Sequence, residues 1–485
     1  MKGIAIGFSD TSREILKRLK KTEFIHEIYI ASSSPKNLKD NQSISLIKPK
    51  LFLKEKWGEL DLIIFIGSVG ASIRLINTLL SSKDEDPGVI VMDKKGSKII
   101  PIIGAHQSNI HNIGLQISNL FNGEIIETNN SIDQNFLDLD SFGNQWGWKR
   151  SGSSKGWSKL VINQANNKEI FCKQLSGNNL WKTSKTGKNI TQLSLSDKDP
   201  KRSESTFHIS IHNYHKNTWH PPTLWIGLGC ERNTSKELIK ESLNNFLETS
   251  KLSQLSIAGF ATVDLKKNEE AILEISKENN LPIKFFTPGQ LSKINVPNPS
   301  KVVLNEIGTP SVAESACILA AGEDSKLLKE KEIFKGINSS KRISGALTIA
   351  VAESKNQYSP QKGAIHVVGS GPGDIAYLTN DARKALSKCT VWIGYKAYLH
   401  LVEPLKRKDQ IFIESKITEE RLRCENAIKL AEQGIKVALI SSGDAGFYGM
   451  AGLLLELLQK IKRECRPYFE VHPGISSVQL AAALS

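Results

Sequence analysis

The sequence predicts an α/β protein made of several parallel-sheet units in succession. Unbroken apolar runs such as Leu62 to Ile66, Leu224 to Leu228 and Val437 to Ile440 have the length and composition of strands buried on both faces. These runs alternate with segments of helical apolar spacing, the pattern of a sheet covered by helices. Several end directly in glycine-rich turns, which suit the passage from strand to helix. A chain of 485 residues has room for two to four such units.

The first unit occupies residues 1–125. Gly3 to Phe8 reads as a strand, and Ile15, Leu16 and Leu19 stripe the helix that follows. His26 to Ala31 and Leu62 to Ile66 are further strands. The second of these enters Gly67-Ser68-Val69-Gly70 and a helix through Ile73, Ile76 and Leu80. Val89 to Met92 and Ile99 to Ile103 bracket the turn Asp93-Lys94-Lys95-Gly96. Residues 126–220 change character, with Asn, Ser, Lys and Trp dominant and Trp146, Trp148, Trp157 and Trp181 in poor periodicity. Lys159 to Asn163 and Phe207 to Ile211 look like strands there. The rest reads as a loosely built variable region or linker.

Regular order resumes over residues 221–353. Strands are expected at Leu224 to Leu228, Ile257 to Val263, Ile283 to Phe286 and Leu347 to Ala352. Helices are expected at Ser235 to Leu247, up to Asn279, and at Val312 to Ala321. Residues 354–362 are polar, contain a proline and read as a linker. The last unit covers 363–485. Ala364 to Val368 is a strand entering Gly369-Ser370-Gly371-Pro372-Gly373-Asp374, with Thr379 as cap of the next helix. A helix capped by Thr418 runs from Glu419 to Gln433, and Val437 to Ile440 leads into Ser442-Gly443-Asp444 and Tyr448.

Lysine and arginine outnumber acids 64 to 50, a formal charge of +14 that favours an anionic partner. The basic residues are scattered, so nucleic acid is not the expected one. Six widely spaced cysteines without a CxxC pair indicate a reducing compartment. The N-terminus has no signal-peptide pattern and no apolar run approaches ~20 residues, so a cytoplasmic protein without a membrane partner is expected.

Two glycine segments at strand ends carry the chemistry of the last unit. An aspartate beside glycines at a strand's C-terminal end suits ligand binding at the edge of an open sheet. On spacing alone, GSGPGD is a weak signal, with a tight turn without ligand as the alternative, since it has neither GxGxxG spacing nor a GK[ST] ending. Five ordered blocks decide more: VGSGPGD at 368–374, GYKAY at 394–398, EERLRCENAIKLAEQG at 419–434, SSGDAGFYGMAG at 441–452 and PGISSVQLAAA at 473–483. Over about 120 residues they resemble the tetrapyrrole methylases, and among them the precorrin-3B / cobalt-factor III C17-methyltransferases. The resemblance implies S-adenosylmethionine as cofactor, held between two α/β domains. Gly369, Gly371, Pro372, Gly373, Asp374, Ser442, Gly443, Asp444 and Tyr448 would be the cofactor-binding residues. The final unit is then the N-terminal α/β domain of such an enzyme. It is expected to be incomplete at its C-terminus, because the chain stops at Ser485 inside an expected helix.

In the third region, Cys230 at the turn after Leu224 to Leu228 reads as a structural thiol rather than a nucleophile, lacking an identifiable histidine partner. Thr309 and Ser311 stand before a helix, where they suit anion binding or, equally, capping. GLGCERNTSKELI (227–239), AGFATVDLKKNEEAI (258–272) and IGTPSVAESACILAAG (307–322) resemble the C-terminal domain of cobalt-precorrin-5A hydrolases. IFIGSVGASIRLI (64–76), DPGVIVMDKKG (86–96) and IIGAHQSN (102–109) resemble their N-terminal domain. Where that family has SGHxGGAN, this chain keeps His106 but not the paired glycines.

The resemblance implies opening of a δ-lactone on cobalt-precorrin-5A with release of acetaldehyde. His106 and Glu314 are the candidate catalytic residues by type and position. A core or capping role is the alternative for His106. Arg232, Lys266, Thr309 and Ser311 are the candidate substrate-binding residues, with solvated surface charge the alternative for the two cations. His106 and His111 lack a third ligand at convincing spacing, so no protein-bound metal is expected, and cobalt enters only as part of the substrate.

The expected protein is therefore a bifunctional corrin-ring enzyme that binds anionic tetrapyrroles and allows for a homodimer through its methylase domain. The alternatives are another tetrapyrrole methylase, of C11 or C20, or a non-catalytic tetrapyrrole-binding scaffold.

Overall fold

The computed structural model describes residues 2–32, 44–81, 85–104, 110–121, 123–126, 136–194, 205–213, 216–336, 343–359, 362–461, 463 and 466–485, with backbone alone at 111, 112, 115 and 119. Four sheets organise them.

The first sheet has the strand order Ser45–Ile47, Glu27–Ala31, Gly3–Gly7, Leu62–Ile66, Gly88–Met92, Lys98–Ile103, Glu124–Ile125. Its pairings are parallel except for the hairpin joining Gly88–Met92 to Lys98–Ile103. The continuous apolar strands have the physical cause that the sequence suggested, because both faces are covered. Ile64 and Ile66 point into one core with Leu16 and Ile113, while Ile63 and Phe65 point into another with Leu53 and Ile76.

The described residues between 136 and 220 are ordered beyond their expectation as a loose insertion. They hold a five-stranded sheet in the order Thr191–Gln192, Phe171–Gln174, Thr206–Ile209, Thr218–His220, Lys149–Ser151. Its core is aromatic: Trp146, Trp157, Trp181, Trp219 and Phe207 are fully buried. The tryptophans escape periodicity because they stand on short 3₁₀ turns, loops, one helix and one strand. Lys159 to Asn163 is corrected from strand to helix, lying inside Ser154–Ala165, which Ser153 caps by accepting from the Gly156 N–H. A short apolar run does not distinguish the two states without its flanks.

His220 in this sheet is buried. Its Nδ1 lies 2.8 Å from the Ser210 carbonyl oxygen and its Nε2 lies 2.7 Å from Ser151 Oγ. Burial pushes the imidazole down to about 4. The unfolded chain therefore takes up a proton at higher pH than the folded one, and stability falls as pH drops from about 6.5 towards 4. The loss attributable to this group is about 3 kcal/mol, and a His220→Asn variant should show a flatter acid limb in denaturant titrations between those pH values.

The third sheet has the order Ile283–Phe286, Ile257–Val263, Leu224–Cys230, Ala346–Glu353, Lys326–Lys335. The first three strands are parallel, and the last two are antiparallel additions. The fourth sheet is wholly parallel, in the order Ile411–Ser415, Val391–Tyr395, Val437–Ser441, Ala364–Gly369, Tyr468–His472. Its helix Glu420–Glu432 begins after Glu419, and no side-chain cap from Thr418 is formed. Thr379 does cap its helix, accepting from the Ala382 N–H at 3.1 Å.

The segment between the third and fourth sheets is not a solvated tether. Ser354, Gln357 and Ser359 are buried. Gln357 Nε2 donates to the carbonyls of Trp146 (2.5 Å) and Gln433 (3.1 Å). Its Oε1 accepts from Trp148 Nε1 (2.6 Å) and Asn178 Nδ2 (3.3 Å). Gln357→Leu keeps the volume but strands those four groups in a buried site. It should lower stability by on the order of 3 kcal/mol, read as a downward shift of the thermal transition; an unchanged transition would remove the amide from the joint.

Candidate functional site

Two places on the chain gather the polar groups that the sequence singled out. In the third sheet unit, the helix Ala313–Ala321 presses on the central strand Leu224–Cys230. A side chain at Gly227 would put its Cβ 1.9 Å from the Ala313 carbonyl oxygen, so only glycine admits this approach. The helix is alanine-rich for the same reason and is buried almost throughout.

Glu314 stands in its first turn, fully buried. One carboxylate oxygen accepts from Asn298 Nδ2 at 3.0 Å and from the Lys331 N–H at 3.1 Å. The other oxygen has no partner among the described residues, and neither do the buried hydroxyls of Ser311 and Ser315. Capping does not explain Ser311 or Thr309. The helix's N-cap is Val312, with no side-chain cap bond, and Thr309 Oγ1 donates instead to the Ser311 carbonyl at 3.3 Å. Three unpartnered buried oxygens within five residues are costly unless something hydrogen-bonds them.

The other candidates of this unit divide. Lys266 is not a free cation: its ammonium lies 3.2 Å from Glu269 Oε2, both side chains largely buried, and Glu269 Oε1 accepts from the Asn233 N–H. Arg232 is exposed. Burial pushes the Cys230 thiol up to about 11, which keeps it protonated and inert at neutral pH, in line with the structural reading. His106 lies outside the described residues.

In the fourth sheet unit, three loops meet at the C-terminal ends of adjacent strands. Gly371 and Gly443 form a two-way bridge, N–H to carbonyl, at 3.1 and 2.9 Å. Both have positive φ, +76° and +60°. Beneath them a Cβ on Gly369 would sit 2.6 Å from Gly474 N and 2.7 Å from Gly443 O. These glycines therefore contribute closeness rather than donors, because the bridge consumes the N–H groups of 371 and 443.

Asp444 likewise serves the loops. Oδ1 accepts from the N–H groups of Gly446 and Phe447 at 2.8 and 2.9 Å, and Oδ2 from that of Gly474 at 3.0 Å. Asp374 caps the turn after it, accepting from the Ala376 N–H at 2.8 Å. What remains outward is Ser442, the open space around Gly373, and the ring of Tyr448, which is 98% exposed and held edge-on to Phe447 at a backbone φ of +53°. Ser370, inside GSGPGD, adds a buried hydroxyl without a partner among the described residues. Sequence reading passed over Ser370 and Ser315, although both lie within motifs it had marked. Asn298 gave no sequence signal, since only the fold brings it to Glu314.

A cavity of about 260 Å³ lies elsewhere, between the third and fourth sheet units, lined by Trp225, Lys284, Tyr358, Lys429 and Glu432 among others. It meets the C-terminal end of the helix Ala313–Ala321, opposite the end that carries Glu314.

Because Gly227 sets the depth of that helix, Gly227→Ala should cost about 3 kcal/mol and displace Glu314. The check is a lowered melting temperature together with faster hydrogen exchange at the Lys331 amide, which Glu314 accepts in the native fold.

Residues 51–131 match the family described as cobalamin synthesis G N-terminal, residues 224–352 the cobalamin synthesis G C-terminus, and residues 364–485 the tetrapyrrole (corrin/porphyrin) methylases. The chain is 26% identical over 363 residues to a cobalt-precorrin-5A hydrolase of Priestia megaterium, covering 70% of this chain and 91% of that one. It is 46% identical over 125 residues to a cobalt-factor III methyltransferase of the same organism, covering 25% of this chain and only 23% of that one. Among solved structures it is similar to a cobalamin biosynthesis protein G homolog of Sulfolobus solfataricus, at 20% identity and a TM-score of 0.28 over 73% of this chain and 97% of that one. No helix among the described residues is long and apolar enough to cross a membrane. One polypeptide thus carries the N- and C-terminal domains of the cobalamin synthesis G family and a domain of the tetrapyrrole methylases, a fusion of two enzyme types of cobalamin biosynthesis.

Proposed function

We propose that this chain performs two reactions on corrin-ring precursors. One opens the δ-lactone of cobalt-precorrin-5A with release of acetaldehyde. The other is S-adenosylmethionine-dependent C17 methylation with contraction of the macrocycle, on precorrin-3B or cobalt-factor III. The observation that carries the first is the likeness to the hydrolase over 91% of that protein's length, joined to a buried carboxylate with one unpartnered oxygen at Glu314.

Lactone opening needs water at the acyl carbon, a base for its proton and donors for the oxyanion. Glu314 is proposed as that base. Its Oε1 is held by Asn298 and Lys331, which leaves Oε2 to take the proton. Ser311 and Ser315 have hydroxyls to offer the substrate, and His106 is kept as a second proton carrier. Arg232 is proposed to meet a peripheral carboxylate of the substrate. Lys266 would have to leave Glu269 to do so, and it is better assigned to holding the turn at Asn233.

For the second reaction, the loop geometry fits a ligand that lies close over glycine backbone. Ser370 has a spare buried hydroxyl, Gly373 has open space, and Tyr448 offers an exposed ring. S-adenosylmethionine, when bound, supplies a sulfonium methyl. The chain's task is to orient it, with Gly371 and Gly443 allowing the approach and Asp444 tying its own loop to the one at Gly474. The C17 position rests on the blocks GYKAY and GDAGFYGMAG and on the factor III methyltransferase relative. The same reading places the protein in the cytoplasm, acting on anionic tetrapyrroles, with self-association through the methylase domain.

The experiment is turnover by the full chain. Cobalt-precorrin-5A should yield acetaldehyde, and Glu314→Gln should slow this by about 10²-fold or more. Bound substrate without acetaldehyde would sink the hydrolase reading in favour of a scaffold. With methyl-labelled S-adenosylmethionine and cobalt-factor III, label found at C11 or C20 would replace the C17 assignment.

A further inference from the structure

The two edge-most strands on one side of the fourth sheet, Ala364–Gly369 and Tyr468–His472, run parallel with His366 opposite Glu470 and Val368 opposite His472. Side chains alternate along a strand, so His366, Glu470 and His472 share one face. His366 Nδ1 lies 2.9 Å from His472 Nε2, and Glu470 Oε2 lies 3.8 Å from each of these nitrogens. Both imidazoles are buried, while Glu470 is half exposed and opens the group to solvent.

The proton positions add an independent constraint. His472 Nδ1 is 2.6 Å from Asp381 Oδ2, in the first turn of the helix Asn380–Lys388. The carboxylate accepts a hydrogen bond from Nδ1–H, so the proton stays on Nδ1 and Nε2 presents its lone pair towards His366 and Glu470. A carboxylate behind a histidine in this way is the outer partner that sets tautomer and direction in metal-ligating histidines.

We propose that His366, Glu470 and His472 bind a divalent transition-metal ion, with Asp381 orienting His472 from behind. Two imidazole nitrogens and one carboxylate oxygen suit Zn²⁺, Co²⁺ or Ni²⁺, and disfavour Mg²⁺ and Ca²⁺, which prefer oxygen. Ligand bonds of about 2.0–2.2 Å in a tetrahedral site require ligand atoms about 3.3 Å apart. The observed 2.9 and 3.8 Å bracket that value, and a small turn of the half-exposed Glu470 closes the longer two. Binding replaces the proton shared between the two imidazoles, and three protein ligands leave one position for water. The ion would pin the edge strand Tyr468–His472 to its neighbour and, through Asp381, to the helix beside them. The sequence spacing of His106 and His111 says nothing about this site, whose histidines are 106 residues apart and meet only through strand register.

The test uses the full chain stripped by a chelator and titrated with Zn²⁺ against a chromophoric competitor, with Co²⁺ absorption as a second readout. The wild type should take up one Zn²⁺ that the His366→Leu/His472→Leu variant does not. Because that variant removes buried groups, two changes at exposed side chains guard the result. Glu470→Gln should weaken binding at least 10-fold, and Asp381→Asn by about 10- to 100-fold. Zn²⁺ uptake unchanged in Glu470→Gln and Asp381→Asn, no Zn²⁺ uptake by the wild type, or Mg²⁺ bound as tightly as Zn²⁺ would each overturn the site.

Discussion

The side-chain amide of Gln357 is the constraint on which the arrangement of the later units depends. An amide offers two donors and two acceptor lone pairs, and here all four are used: on Trp146, Trp148 and Asn178 of the tryptophan-rich unit and on Gln433 of the methylase unit. Gln357 itself continues the chain from the third sheet, so one buried residue ties three units. The apolar contacts agree, because a single core runs from Trp146, Trp181 and Trp219 to Val367, Leu439 and Ala427. Buried polar groups that are fully satisfied specify geometry strongly, since any shift leaves a donor or acceptor without a partner. Residues 354–359 are therefore a joint of defined geometry rather than a hinge.

That geometry decides where ligands can approach. In the methylase sheet, Val367 and Leu439 face the helices Glu420–Glu432 and Ala451–Gln459, while Val368 and Ile440 face Asn380–Lys388. With both faces covered, the C-terminal strand ends remain, and there the chain has placed glycines against one another. The glycines at 369, 371, 443 and 474 are explained by backbone approaching backbone, and Asp444 by three main-chain donors. The loops' shape is thus built without their ligand, and what faces outward is left for it.

The parts legible in sequence were those whose cause is local. Leu62–Ile66, Leu224–Cys230 and Val437–Ser441 are apolar throughout because helices cover both faces of their sheets, and composition alone records that. Thr379 was readable as a cap because capping spans only three residues. Lys159 to Asn163 misled because five residues with a short apolar centre fit either period, and the deciding signal, Ser153 at the N-cap, sits six residues upstream. The tryptophan-rich unit was opaque for a related reason: its core is assembled from 3₁₀ turns and loops that have no period to detect. Lys266 was assigned to substrate although Glu269, three residues on, already claimed it. The cluster of His366 and His472 was beyond reach, since a one-residue slip in the pairing of two strands would turn one imidazole to the opposite face.

The two candidate sites of the sequence reading part company on one physical criterion, whether a polar atom's hydrogen bonds are spent inside the chain. Asp444 looked like a ligand contact by its place in the motif, yet its carboxylate accepts three N–H groups and so organises the loops. Glu314 looked weaker, being one acidic residue on an alanine-rich helix. It is nevertheless the group whose second oxygen is buried and unpartnered, flanked by Ser311 and Ser315 in the same state. A buried oxygen without a donor costs on the order of 1–3 kcal/mol, and three together are a substantial fraction of a domain's net stability. Gly227 presses that helix into the sheet, so the backbone cannot relax to relieve the cost. A fold that holds three such atoms in place against that penalty needs partners for them, ordered water or a ligand, and this physical argument singles out Glu314 independently of the likeness to any relative.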